Sequence, residues 1–277
     1  MQPASVGFQC PDCVRQGRRD TRSGLTAFGG RLSVRPRAVT STLIAINVAC
    51  FLAAHVSARF LGDTVMQPFA VYSGDYWRLI TSTFLHYQVL HILLNMYALW
   101  IFGTFAEVQL GRWRFLGLYL VSGFVGSVTV FWFAPLGQVS LGASGAIFGL
   151  FGATIVIFRK RRANMTQLLI LLALNLVITF TIPNISWQAH VGGLVSGLVI
   201  GYAYAYAPRP QRAVVHGGVL VLIFALAVAG VVVRDRELAA TPGVPATAAA
   251  GIVRSASTRP MALRPHCGQA LWRTTVL

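Results

Sequence analysis

The 44 residues from Phe115 to Phe158, FLGLYLVSGFVGSVTVFWFAPLGQVSLGASGAIFGLFGATIVIF, contain no Asp, Glu, Lys or Arg. A helix that crosses roughly 30 Å of hydrocarbon needs about 20 mostly apolar residues, so this run is too long for one span. It must turn inside or near a bilayer, and Pro135, Gly137 and Gly142 mark where. A second charge-free run extends from Ala163 to Pro208. Working outward, seven apolar segments qualify as spans, over about 40–60, 91–108, 115–134, 144–158, 167–182, 188–207 and 213–233. The whole 277-residue chain agrees, with 55% hydrophobic and 11% charged residues and a mean hydropathy of +0.64. Soluble domains carry about 25% charged residues, so a soluble enzyme is excluded. The expected fold is an all-α, polytopic membrane helical bundle.

A net charge of +16 and a pI near 11.1 raise the question of nucleic acid. The basic residues instead sit between the apolar runs. With the N-terminus cytoplasmic, the inner side holds fifteen of them and the outer loops only Arg59 and Arg78. That asymmetry orients the bundle, and anionic headgroups account for the charge, so the expected partner is the lipid bilayer and not nucleic acid. Residues 1–39 are polar and arginine-rich and are expected to be a cytoplasmic segment without a cleavable signal peptide. Residues 40–233 form the membrane domain. Residues 234–277, rich in Ala, Pro, Thr and Arg, are expected to be a disordered extracytoplasmic tail. Cys10, Cys13, Cys50 and Cys267 make no disulfide framework. Cys10-Pro-Asp-Cys13 is half of a zinc knuckle, two ligands short of a structural site, so no metal or other cofactor is expected.

Polar groups inside spans are costly and mark cavities or helix contacts. Ser144 begins the fourth segment within Gly142-Ala-Ser144-Gly145, and His190 lies early in the sixth. Counting 1.5 Å per residue back from Arg159 and Arg209 puts both in the outer third of the membrane. Gly145 and Gly149 face the same spacing repeated by Gly193, Gly197 and Gly201, and small residues at i and i+4 let backbones approach closely. His190 shares its helix face with Gly193 and Gly197, so such an approach carries it towards Ser144, the geometry of a nucleophile and its base. The spacing is equally compatible with ordinary glycine packing, with His190 bonded to a backbone carbonyl. No Asp or Glu lies between Val108 and Arg234, so catalysis here would use a Ser–His dyad. His91 and Asn95, one turn apart, can donate hydrogen bonds to an oxyanion beside the Ser144 N–H, or stitch two helices together. His86 reads as a tie for the preceding loop, Glu107 as a structural acceptor near the inner face, and Asp75 as a surface charge.

Taken together, Trp77-Arg78, His86-x4-His91-x3-Asn95, Glu107-x3-Gly111, Gly142-x-Ser144-Gly145 and Ala189-His190-x2-Gly193-x3-Gly197 resemble the rhomboid family of intramembrane serine proteases. They occur in the family's order over roughly residues 40–233. The resemblance implies a six-helix core plus a seventh span, with Ser144 as nucleophile and His190 as general base and acid. It further implies an oxyanion hole of His91, Asn95 and the Ser144 N–H. His86, Trp77, Arg78, Glu107, Gly142, Gly145, Gly193 and Gly197 would be structural supports. Phe148 stands where many members carry a tyrosine, so stacking transfers but any role of the hydroxyl does not. Cys10–Cys13 resembles the end of a zinc-binding extension on some actinobacterial members, whose other ligands are missing here; the bias to Arg over a lone Lys160 fits a high-GC lineage. The implied substrates are single-span membrane proteins, cleaved at the plasma membrane. The competing reading is a non-catalytic rhomboid-like scaffold that binds transmembrane clients.

Overall fold

The computed structural model describes residues 2–3, 8–20, 24–31, 37–183, 185–242 and 244. Apart from a two-residue antiparallel ladder between Gln2–Pro3 and Phe8–Gln9, its regular structure is helical. A short helix, α1 (Pro11–Asp20), precedes α2 (Ala38–Val56). The first loop carries α3 (Ala58–Thr64), α4 (Pro68–Tyr72) and α5 (Arg78–Thr81). Then follow α6 (Val89–Leu110), α7 (Arg112–Phe133), α8 (Ser144–Arg161), α9 (Thr166–Thr181), α10 (Trp187–Tyr206) and α11 (Arg212–Ala240).

Among the described residues, four helices are long and apolar enough to cross a membrane: α2, α6, α7 and α11, the last counted from Arg209. The chain is a multi-pass membrane protein. The other three expected segments coincide with α8, α9 and α10. α8 has 18 residues and α9 only 16, about 24 Å of helix, somewhat short of a full span.

Two boundaries differ from the sequence reading. The first segment does not run unbroken to 60, because Ser57 leaves the helix with extended backbone and its hydroxyl accepts the Phe60 N–H at 3.1 Å. Serine favours capping over helix interior, and here it ends α2 and starts α3. At the other end α11 continues to Ala240, so the expected tail does not begin at Arg234. Arg234 pairs with Glu237 at 3.0 Å within that extension, one turn along the helix. The tail from 245 onward lies outside the described residues.

The core is three-helical. α7, α8 and α10 pack against one another, and α8 is buried along nearly its whole length, while α9 and α11 show apolar side chains such as Ile170, Val177, Phe180, Val221 and Leu226 outward. In a membrane that surface meets lipid, so its exposure carries no penalty. Glu107 ties α6 to the start of α2, accepting from the Val39 and Thr40 N–H groups at 3.1 and 2.9 Å and from the Thr40 hydroxyl at 2.8 Å. A carboxylate at a helix N-terminus satisfies donors that have no intrahelical partner. α6 includes a π-helical turn at Leu99–Gly103, a local widening that composition does not announce. Residues 24–31 fold as a tight turn whose Phe28 is buried in the main core beneath the Arg161 guanidinium, so part of the polar N-terminal segment is docked on the bundle.

The first loop is cross-braced. Arg78 donates to the Gly62 and Val65 carbonyls at 2.6 and 2.9 Å and pairs with Asp75 at 2.9 Å. Asp75 is therefore a half-buried partner of Arg78 and not a free surface charge. Trp77 Nε1 donates to the Asp63 carbonyl at 2.9 Å. The Tyr76 hydroxyl donates to Asp235 on α11 at 2.7 Å, and that bond, followed by burial, pushes its pKa up to about 12.

Candidate active site

Ser144 is the first residue of α8. The chain reaches it through Gly142, whose φ of +131° is open to glycine and strained for any other residue. A side chain there would also strike His91, since a Cβ would lie 2.9 Å from its Cε1 and 3.0 Å from its Nε2. The Gly142 N–H donates to the Ser82 carbonyl at 3.0 Å, which fixes the approach to the helix. The first intrahelical bond of α8 runs from Ile147 N–H to Ala143 C=O, so the Ser144 N–H lies ahead of the ladder.

His190 lies in the first turn of α10, and its position depends on how closely that helix meets α8. A Cβ on Gly193 would fall 1.9 Å from the Gly145 carbonyl oxygen, and one on Gly197 would fall 2.0 Å from that of Gly149. Only hydrogen fits in those gaps, so the two backbones touch. The consequence is direct: His190 Nε2 stands 2.7 Å from Ser144 Oγ. His190 is buried and Ser144 half-buried. The Phe148 ring, one turn along α8 from Ser144, stacks on the imidazole at 4.2 Å between centroids with only 9° between planes. The remaining ring nitrogen, Nδ1, is 2.7 Å from Thr179 Oγ1 on α9.

His91 is brought to the same place, with its imidazole against Gly142 beside Ser144. Asn95 is buried on the next turn, and its amide donates to the His91 carbonyl at 2.9 Å, leaving its second N–H proton for another acceptor. His86 is fully buried; it accepts the Ala143 N–H at 3.4 Å and meets His91 edge-on at 5.1 Å. It thus bridges the first loop to the start of α8. Trp77, Arg78 and Glu107 lie away from this cluster, in the loop brace and at the start of α2 respectively. Sequence reasoning missed Thr179. A threonine within an apolar helix usually bonds its own backbone, so its type carries no signal. Cys10 and Cys13 are joined by a Cys13 N–H to Cys10 Sγ bond at 3.1 Å, and no group of three or more metal-ligating side chains is found among the described residues.

A side-chain hydroxyl on an imidazole nitrogen, with a free N–H at a helix start beside it, can support acyl transfer. Comparison with known proteins bears on that chemistry. A Rhomboid domain model matches residues 73–207, the stretch that contains His86, His91, Asn95, Ser144, Phe148, Thr179 and His190. The putative rhomboid protease YdcA of Bacillus subtilis (strain 168) is 37% identical over 137 residues, which cover 48% of this chain and 69% of that one.

The chain belongs to the rhomboid family.

The rhomboid protease GluP of the same bacterium is 32% identical over 202 residues, 68% of this chain and 39% of GluP. RHOMBOID-like protein 1 of Arabidopsis thaliana is 30% identical over 210 residues, 63% of this chain and 54% of that protein. The chain thus spans about two fifths of GluP and about half of the plant protein. In this chain Phe148 stacks on one face of His190 and Thr179 meets its Nδ1.

Proposed function

We propose that this rhomboid is an intramembrane serine endopeptidase that cuts single-span membrane proteins in or near their transmembrane segments. The observation that carries the reading is the 2.7 Å contact between Ser144 Oγ and His190 Nε2 at the meeting of α8 and α10. Ser144 attacks the scissile carbonyl while His190 takes its proton. The tetrahedral oxyanion is held by the Ser144 N–H with His91 and Asn95, and collapse gives an acyl-enzyme as His190 protonates the leaving amine. Water then releases the second product by the same route in reverse. A helical substrate hides its carbonyls in i→i+4 bonds, so segments containing small or helix-destabilising residues are favoured. The seven-span arrangement, a cytoplasmic N-terminus and residence in the plasma membrane belong to the same proposal, supported by fifteen basic residues on one side against two on the other.

The test compares wild type with Ser144→Ala in lipid vesicles, using fluorophosphonate labelling and a panel of tagged single-span substrates. Labelling and cleavage are expected to fall by a factor on the order of 10⁴ or more on loss of the nucleophile. A wild-type protein that neither labels nor cleaves would identify the chain as a non-catalytic scaffold for transmembrane clients.

A further inference from the structure

We infer that Thr179 is the positioning residue that sets the tautomer of His190, an inference that rests on the Ser144–His190 reading above. The dyad poses a problem that proximity alone leaves open. A neutral imidazole carries one N–H, and it can serve as a base towards Ser144 only when that proton is on Nδ1. In a triad a carboxylate holds it there. Here no Asp or Glu occurs between Val108 and Arg234. Phe148 fixes the plane of the ring, but a stacked face cannot choose between two nitrogens.

Thr179 makes that choice through the direction of its own proton. Its side chain is 3% exposed, and its hydroxyl lies 2.7 Å from the Asn175 carbonyl oxygen and 2.7 Å from His190 Nδ1. A carbonyl oxygen can only accept, so the single hydroxyl proton goes to Asn175. Thr179 Oγ1 then presents lone pairs to Nδ1, and Nδ1 must be the donor. Nε2 is left with its lone pair facing Ser144 Oγ at 2.7 Å. The chain Ser144 O–H to His190, His190 N–H to Thr179 and Thr179 O–H to Asn175 thus runs in one direction across α8, α10 and α9. A hydroxyl replaces the carboxylate of a triad, and because it is neutral it orients the ring while adding little charge stabilisation to the imidazolium.

The experiment uses the full chain in nanodiscs and a fluorophosphonate probe, separating the inactivation rate constant kinact from the binding constant KI. For Thr179→Val, which replaces the hydroxyl by a methyl group, kinact is expected to fall about tenfold with KI unchanged within about twofold, the scale of one neutral hydrogen bond. Thr179→Ser, which keeps the hydroxyl, is expected to restore kinact to within about threefold of wild type. On the wild-type protein, ¹⁵N NMR of the imidazoles, with His190 assigned by its loss in His190→Gln, is expected to show the Nδ1–H tautomer; this reading needs no Thr179 variant to fold. An Nε2–H tautomer in wild type, or a Thr179→Val protein with wild-type kinact, overturns the role of Thr179 alone. Labelling that survives Ser144→Ala overturns the dyad reading beneath it.

Discussion

Three helices meet around the His190 ring, and they are held in two different ways. α8 and α10 touch backbone to backbone along Gly145, Gly149, Gly193 and Gly197, with no room for a Cβ. α9 turns a narrow stripe inward (Leu168, Leu172 and Thr179, with Leu176 partly buried beside them) and shows most of its surface outward. α11 resembles α9, with His216, Ala227, Val231 and Leu238 buried along its 29 residues. In lipid there is no hydrophobic gain from joining two apolar helices, so association depends on close van der Waals contact and polar links. The glycine seam supplies the first and lets His190 reach Ser144 at 2.7 Å. The outer helices rely more on isolated polar links: Thr179 to His190 from α9, and Asp235 to Tyr76 from α11.

The comparison is broken most severely from its tight side. Gly193→Leu drives a side chain into the Gly145 carbonyl, and the helices must separate. We expect a loss of about 3 kcal/mol or more in stability by reversible unfolding in mixed micelles, with labelling of Ser144 abolished. Wild-type labelling in that variant would show that the seam does not set the dyad. On the loose side, Leu172→Ala removes one of few inward side chains of α9. A cost of roughly 2 kcal/mol is expected, at the low end for a buried leucine because the site borders lipid, with labelling reduced only a few-fold. Tyr76→Phe deletes the loop-to-α11 bond and is expected to cost less than about 1 kcal/mol. Its pH signature has a definite sign. The folded pKa of about 12 lies above the ordinary tyrosine value of about 10, so the Tyr76 contribution is complete below pH 10 and is lost as pH rises towards 12. A melting series over that range should converge for the two proteins. Smallest of all, Ile170→Val on the outward face of α9 is expected to change stability by less than about 0.5 kcal/mol; a larger effect would mean that this face packs against protein.

Much of this molecule can be read along the chain because membrane insertion imposes a strong local code. Charge-free runs, flanking arginines and Gly142, Gly111 and Pro135 delimit the helices closely, and the spacing of Gly145, Gly149, Gly193 and Gly197 identifies the two faces able to meet. Ser57 escaped because a capping serine and a helical serine are the same letter. Phe28 escaped because a single aromatic in an arginine-rich stretch gives no sign that the turn around it will dock on the Leu110–Gly111 link. Thr179 escaped for a geometric reason: it lies eleven residues from His190 across a helix–helix turn, and only the packing angle of α9 decides whether its hydroxyl reaches Nδ1.

The amino-acid order on its own determined that this chain lives in a bilayer and roughly where its helices begin and end, because those properties follow from hydropathy, charge and rise per residue. Tertiary structure alone decided that the hydroxyl and imidazole stand 2.7 Å apart and which ring nitrogen faces which partner. Distances of that size depend on how three separate helix surfaces interlock, and no local pattern encodes them.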